Sequence, residues 1–318
     1  MVSELELKGF RGVKWMEEPL KFSKFTLLLG RNGSGKSTVL EALAMLPHPL
    51  LGLSIIGHPR AKYIARVLHG AGGENPYACF IYRYHGTGLV RYSVFNEVLE
   101  VRVRPSSITL AREGERGVFG EELAKLFGIP RDFLDHSVVF LPGSDAFHRD
   151  LRSAVYREWS MVERRGSHVR IIRELVGKHV DEGFTEVMPR FDELYVRKEL
   201  SDGYSMYLRL NDMGSGVERA ILYLLWLDSV RPKLVLWDDL GANLHSSLVG
   251  EIVDWLLQGD WQVVATLQNP WMLEQLLELE SEDIKLLLLE RVNDVLKWEV
   301  LRLGELPAQT GLPTPPSP

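Results

Sequence analysis

The sequence predicts an α/β protein: a mostly parallel sheet flanked by helices, with an antiparallel patch near the N-terminus and an inserted helical lobe. Three observations carry that prediction. A glycine-rich loop, Gly30–Thr38, stands between the apolar run Phe25–Leu29 and the helical run Val39–Met45. A second apolar run, Leu234–Trp237, ends in the paired carboxylates Asp238 and Asp239. From Tyr204 onward, segments of strand character alternate with segments of helical character, the pattern of parallel strands joined by covering helices.

In chain order, Leu5–Phe10 alternates as a strand should, and Pro19–Phe25 leads into the strand before the glycine-rich loop. Pro47-His48-Pro49 ends the first helix, because proline cannot continue the hydrogen-bond ladder. A short helix is expected at Arg60–Leu68. Three strands are expected at Ala78–Tyr84, Leu89–Phe95 and Val98–Val103, punctuated by Gly and Pro and forming the antiparallel patch. Gly120–Phe127 reads as a helix, and His136–Pro142 as a buried strand stopped by proline. From Phe147 to about Lys198, apolar residues such as Val169, Ile172, Val176 and Val180 recur at helical spacing, which predicts a helical lobe over about 146–200. The remaining expectations are a strand at Tyr204–Leu210, a helix at Gly214–Leu227, a strand at Lys233–Trp237 and a helix at Ser246–Leu257. A strand at Trp261–Thr266, a helix at Trp271–Glu278 and a closing hairpin, Ile284–Val292 with Val295–Leu303, complete the domain. Residues 1–303 are expected to form one domain, followed by a proline-rich disordered tail at 304–318.

Bulk properties narrow the function classes. The 318 residues are 45% hydrophobic and 25% charged, ordinary values for a globular protein. A formal charge of −6 argues against coating nucleic acid through net charge, while leaving room for a local basic face. One such face is suggested between Arg149 and Lys178, where eight Lys or Arg meet four acids; the plainer alternative is a solvated helix surface. A single cysteine, Cys79, rules out an internal disulfide and a cysteine-based zinc site. The start Met1–Glu6 lacks the features of a signal peptide, and no apolar run is long enough to cross a bilayer, so a cytoplasmic location is expected.

The loop Gly30-Arg31-Asn32-Gly33-Ser34-Gly35-Lys36-Ser37-Thr38 meets G-x-x-x-x-G-K-[ST] at every fixed position and has the strand and helix that this pattern requires. Its glycines let successive N–H groups point into one concavity, and the following helix adds its positive end. Lys36 is expected to reach the β- and γ-phosphates of ATP, and the Ser37 hydroxyl to hold Mg²⁺. Asp238 is expected to be the metal partner of Ser37, and Asp239 to orient or deprotonate the attacking water, because open α/β sheets gather ligands at the carboxyl ends of their strands.

Phe10-Arg11-Gly12, the phosphate loop, Asn211–Arg219, and Asp238-Asp239 followed by Asn243-Leu244-His245 occur in an order that resembles the ATP-binding-cassette (ABC) ATPases of the non-transporter branch. These include RecF, the structural-maintenance-of-chromosomes (SMC) proteins and the overcoming-lysogenization-defect (OLD) family. The resemblance spans Val2 to about Leu289. It implies an ATP sandwiched in a homodimer, with Ser215 and Gly216 as contacts made to the partner's nucleotide, and Asp239–His245 as a loop crossing the interface. It also implies a nucleotide or phosphate contact for Arg11, for which a plain surface arginine is the alternative. Ser144 and Asp145 stand where the family has its metal-sensing glutamine.

Two departures bear on hydrolysis. Asp239 stands where the family usually has glutamate, and Gln268 where it has a switch histidine; glutamine donates a hydrogen bond but carries no charge. The resemblance therefore implies an Mg-dependent ATPase of slow turnover, a dimerising switch acting on DNA or on a separate effector protein, such as a nuclease, carried by another chain. A nucleotide-sensing scaffold that does not hydrolyse is the alternative, and an energy-coupling subunit of a transporter is a third. The lobe is too short to be the long coiled coil of a chromosome-structural arm.

Overall fold

The computed structural model describes residues 1–112, 115–117, 120–268 and 283–301. The expected helix Trp271–Glu278, the last residues of the closing hairpin and the tail 304–318 lie outside these.

The N-terminal part is a meander around one long strand. Strand β1 (Val2–Phe10) buries Val2, Leu5, Leu7 and Phe10. Strand β2 (Val13–Met16) folds back on it, and β3 (Leu20–Lys21) pairs with its start. Every residue of β4 (Phe25–Leu29) is buried, as a strand covered on both faces requires. Helices α1 (Lys36–Leu43) and α2 (Arg60–His69) follow. The expected strand Ala78–Tyr84 is instead two short 3₁₀ turns, Ala78–Phe80 and Tyr82–Tyr84. Its two buried apolar residues, Phe80 and Ile81, are adjacent rather than alternate, and Arg83 and Tyr84 take φ of 55° and 63°, which breaks an extended chain. Phe80 stacks on Phe10 with ring centroids 5.9 Å apart. The antiparallel patch is real but built one strand later: β5 (Gly88–Val94), β6 (Glu97–Arg104) and β7 (Ser107–Arg112), edged by the two-residue β8 (Glu115–Arg116). Helix α3 (Glu121–Phe127) and the buried β9 (Val138–Leu141) match expectation.

The lobe departs from the sequence-based expectation in its second half. Helices α4 (Asp145–Arg157), α5 (Trp159–Arg164), α6 (Ser167–Arg170) and α7 (Gly177–Val180) fill its first half, with a π-helical stretch at Ile171–Val176 joining the last two. From Phe184, however, it is antiparallel sheet: β10 (Phe184–Arg190) and β11 (Glu193–Glu199), turning at Phe191-Asp192, both at positive φ. Strand β12 (Ser205–Arg209) was expected to resume the parallel core. It is instead the edge of this small sheet, and its side chains are largely exposed.

The core then closes. Helix α8 (Ser215–Val230) leads to β13 (Leu234–Trp237), α9 (Ser246–Gln258), β14 (Gln262–Thr266), β15 (Ile284–Val292) and β16 (Val295–Leu301). The large sheet runs β8-β7-β6-β5-β1-β2-β16-β15-β4-β14-β13-β9. From β15 to β9 its strands are parallel, and β4, β9, β13 and β14 are buried along their whole length. From β8 to β2 the pairing is antiparallel, and β2 joins β16 in parallel, so the mixed sheet carries a parallel heart around the phosphate loop and a wing of hairpins beside it. Helix α1 packs on β13 and β14, which sets its N-terminus against the carboxyl ends of the parallel strands.

Candidate active site

The loop after β4 lies where the sheet's parallel strands end. Gly30 takes φ 134°, and a side chain there would collide with the Leu289 carbonyl and stand 2.7 Å from Ser34 Oγ. The loop folds tightly enough to bury Ser34, Lys36 and Thr38, while Arg31, Asn32 and Gly33 stay exposed and Gly35 caps α1 at φ 108°. Lys36 Nζ donates to the carbonyls of Gly30 and Arg31, at 2.6 and 3.1 Å. Burial pushes its ammonium below the ordinary lysine value, and the nearby carboxylates of Asp238 and Asp239 pull it back up. Ser34 Oγ is buried without a hydrogen-bond partner. An ammonium bonded only to loop carbonyls, an orphan hydroxyl and the positive end of α1 converge here. A polyphosphate fits such a cradle, since it supplies the acceptors that these donors lack.

The acidic strand end meets the loop. Ser37 Oγ donates to Asp238 at 3.2 Å to Oδ2 and 3.4 Å to Oδ1, across 201 residues of sequence. Both are hard oxygen ligands, and Mg²⁺ typically takes one or two such protein oxygens and completes its shell with phosphate and water. Burial raises the Asp238 carboxyl above its usual value, against the lowering effect of hydrogen bonds from Thr266 and Ser37. Asp239 is also raised, first by burial and then by Asp238, with Arg219 and Lys36 opposing.

Thr266, not singled out from the sequence, ties these two acids together. Its Oγ1 donates to Asp238 Oδ1 at 2.7 Å and accepts from the Asp239 amide at 2.7 Å. A polar residue closing the apolar run Val263-Val264-Ala265 was the signal that could have found it. Thr266→Val keeps the shape of the strand but strips both bonds. It is expected to cost about 1–3 kcal/mol of stability and to weaken Mg-dependent ATP binding by roughly tenfold. Denaturant melts and nucleotide titrations with and without Mg²⁺ check this, and an unchanged metal dependence would count against the clamp.

Past the acids, Asp239, Gly241 and Asn243 take φ of 58°, 88° and 60° at alternate positions, and each is a residue type that tolerates the left-handed region. This turn lays Asn243 directly on Gly216, where any Cβ would strike the Asn243 backbone. Of the two residues expected to reach a partner's nucleotide, Ser215 is exposed at the start of α8, whereas Gly216 is buried under its own chain's loop. Farther along α8, Arg219 donates to Asp145 at 3.0 Å, and Glu218 is paired with Arg152 and stands 3.6 Å from His148. Residues 145, 148 and 152 share one face of α4, so the two helices are laced together by charge.

The remaining expected residues fall as follows. Ser144 is the N-cap of α4, its Oγ accepting from the Phe147 amide at 3.5 Å. Arg11 is not free: its guanidinium pairs with the buried Glu41 at 2.6 Å, and His69 meets the other oxygen of that carboxylate at 2.8 Å. Gln268 is exposed two residues beyond β14, whose neighbours are the loop strand β4 and the acidic strand β13. The basic run of the lobe is partly spent inside the protein, with Arg152 on Glu218 and Arg170 on the buried Asp228, while Arg149, Arg164, Arg165 and Lys178 stay exposed. No helix among the described residues is long and apolar enough to cross a membrane.

Residues 1–49, which contain the whole loop, match the family model of an AAA ATPase domain. No curated protein matches the sequence. Among solved structures, an SMC head bound to the C-winged helix domain of ScpA superposes with a TM-score of 0.61 at 18% identity, covering 94% of this chain and 97% of that one. An SMC head with an extended coiled coil bound to the C-terminal domain of ScpA, derived from Pyrococcus furiosus, gives 0.58 at 16% identity, with 95% and 96% covered. The SMC head domain from Thermotoga maritima gives 0.53 at 16% identity, with 95% and 99% covered. The expected α/β fold, a mostly parallel sheet flanked by helices with a phosphate loop, is therefore borne out, and it is the fold of these SMC heads.

Proposed function

We propose that this chain is an Mg-dependent, ATP-binding switch that closes as a homodimer and hydrolyses ATP slowly. The observation that carries it is the meeting of Ser37 with Asp238 at 3.2 Å beside the phosphate loop, because a metal–nucleotide site needs those two oxygens together and the chain separates them widely in sequence. In this reading, the loop amides and Lys36 hold the phosphates, and Ser37 and Asp238 hold Mg²⁺, which supplies charge to offset that of the phosphates. The Asp239 carboxylate takes the proton of the attacking water. Ser215, exposed on the first turn of α8, offers its hydroxyl and the free amides of that turn to the nucleotide of a second copy.

Closure would move the lobes of the two copies together, and we propose that the moving lobe acts on DNA or on an effector protein. The SMC heads of similar fold, solved with a domain of ScpA bound, support a protein partner. A ligand can drive closure only by binding the closed state more tightly, which a phosphate shared between two copies provides.

Light scattering of an Asp239→Ala chain tests the switch. With ATP and Mg²⁺ the mass is expected to double, and Ser215→Arg, which places a bulky side chain on the exposed helix start, is expected to return it to the monomer. A monomer with nucleotide fully bound would overturn dimerisation. A second reading, a nucleotide-sensing scaffold without turnover, is favoured by Asp239 and Gln268 at the positions where the family has Glu and His. Phosphate release that persists in the native chain and vanishes in Lys36→Ala separates the two.

A further inference from the structure

One cation beside the loop has no role in the site so far. Strand β15 runs parallel to β4, with Leu288 in register with Leu29, so the residues after Leu288 pass alongside the phosphate loop itself. There the β15–β16 hairpin presents a cross-strand pair, Arg291 and Leu296. Leu296 Cδ1 lies 3.1 Å from where a Cβ on Gly35 would stand, and Arg291 Nη2 lies 3.9 Å from where one on Gly33 would stand. Arg291 Nη1 donates to the Gly12 carbonyl at 3.1 Å, in the turn between β1 and β2.

The guanidinium therefore spans the gap between that turn and the tip of the loop. It is exposed and pairs with no carboxylate among the described residues. A guanidinium carries five N–H donors in a planar fork, and one donates to Gly12, which leaves the others for an anion. A Cβ at Gly12 would fall on Arg291 Nη1, so any larger residue there would push the guanidinium from this seat. Gly12 does not take a positive φ, so a side chain there would act on the guanidinium and not on the backbone.

We propose that Arg291 is a phosphate-contacting residue of the nucleotide site, reaching from the closing hairpin to the polyphosphate held by Gly30–Thr38. This rests on the nucleotide site proposed above and adds to it a charge delivered from the opposite end of the sequence. Arginine suits the place because its fork meets two phosphate oxygens at once, where lysine offers only a point charge.

The test is equilibrium titration of fluorescent ADP and ATP analogues into the full chain, a readout that needs no turnover. Arg291→Ala is expected to weaken both on the order of tenfold or more, with competition by adenosine unchanged. Arg291→Lys is expected to recover part of the loss. Gly12→Val, which leaves the charge in place but displaces it, is expected to lose about as much as Arg291→Ala. The binding of Arg291→Ala is also expected to depend less steeply on salt. Native affinity for ADP and ATP in Arg291→Ala would overturn the assignment. So would an equal loss for adenosine, which would place the guanidinium on the nucleoside. If the native chain itself binds neither analogue, the nucleotide site fails, a result distinct from a native chain that binds and a variant that binds equally well.

Discussion

Asp239→Ala is expected to cut ATP turnover by roughly 10²–10⁴-fold while leaving ATP affinity within a few-fold of native. The carboxylate is half-buried beside Asp238, and both burial and that neighbour raise its proton affinity, with Arg219 and Lys36 holding it in check. The backbone explains why the shorter acid is there. Residue 239 sits at φ 58°, a region that aspartate tolerates better than most residues. Its amide is already committed to Thr266 at 2.7 Å, so the turn cannot relax without breaking the clamp on Asp238. Steady-state phosphate release, measured beside a nucleotide titration, checks this. Unchanged turnover removes Asp239 from the mechanism, and lost affinity reassigns it to binding.

Arg60→Met is expected to destabilise the fold by about 3–5 kcal/mol, the scale of leaving buried polar partners without their charge. Arg60 is fully buried. Its guanidinium donates to four main-chain carbonyls: Ala44 at 3.2 Å, Gly52 at 2.9 Å, Asp135 at 3.0 Å and Val138 at 3.5 Å. Burial lowers its pKa to about 10, with the Asp135 carboxylate opposing that shift. Methionine keeps most of the stem and removes the donors, so the loss isolates the hydrogen bonds from the packing. The four carbonyls belong to the segment after α1, the loop before α2, and the approach to β9 and β9 itself. Arg60 therefore anchors the far end of the helix whose N-terminus forms the phosphate cradle. Urea unfolding followed by circular dichroism gives the answer, and a loss below about 1 kcal/mol would mean that water replaces the guanidinium.

The phosphate loop and the acidic strand end were legible because each depends on residue types at short spacing. Glycines at positions 30, 33 and 35, a lysine and serine at the start of a helix, and two aspartates closing an apolar run need no distant information. The parallel strands were legible for a related reason: β4, β9 and β13 are continuous apolar runs, which only a strand covered on both faces shows. The second half of the lobe departs from expectation because helical spacing does not continue past Val180: Glu193–Glu199 buries the alternate residues Leu194 and Val196, and it pairs with Phe184–Arg190 around a two-residue turn. Ala78–Tyr84 was misread because two adjacent apolar residues imitate a strand when their partner, Phe10, is unknown.

The sequence by itself determined the residue types of the proposed site: a glycine-rich loop with Lys36 and Ser37, and the paired carboxylates Asp238 and Asp239 at a strand end. These follow from side-chain types and local backbone freedom. Only the tertiary structure decided how those groups are tied. Thr266 on Asp238, Arg11 on Glu41, Gly216 under Asn243 and Arg291 beside Gly33 are contacts between segments far apart in the chain, set by which strand lies next to which and in what register. Register is fixed by burial summed over the whole sheet, so no single motif contains it.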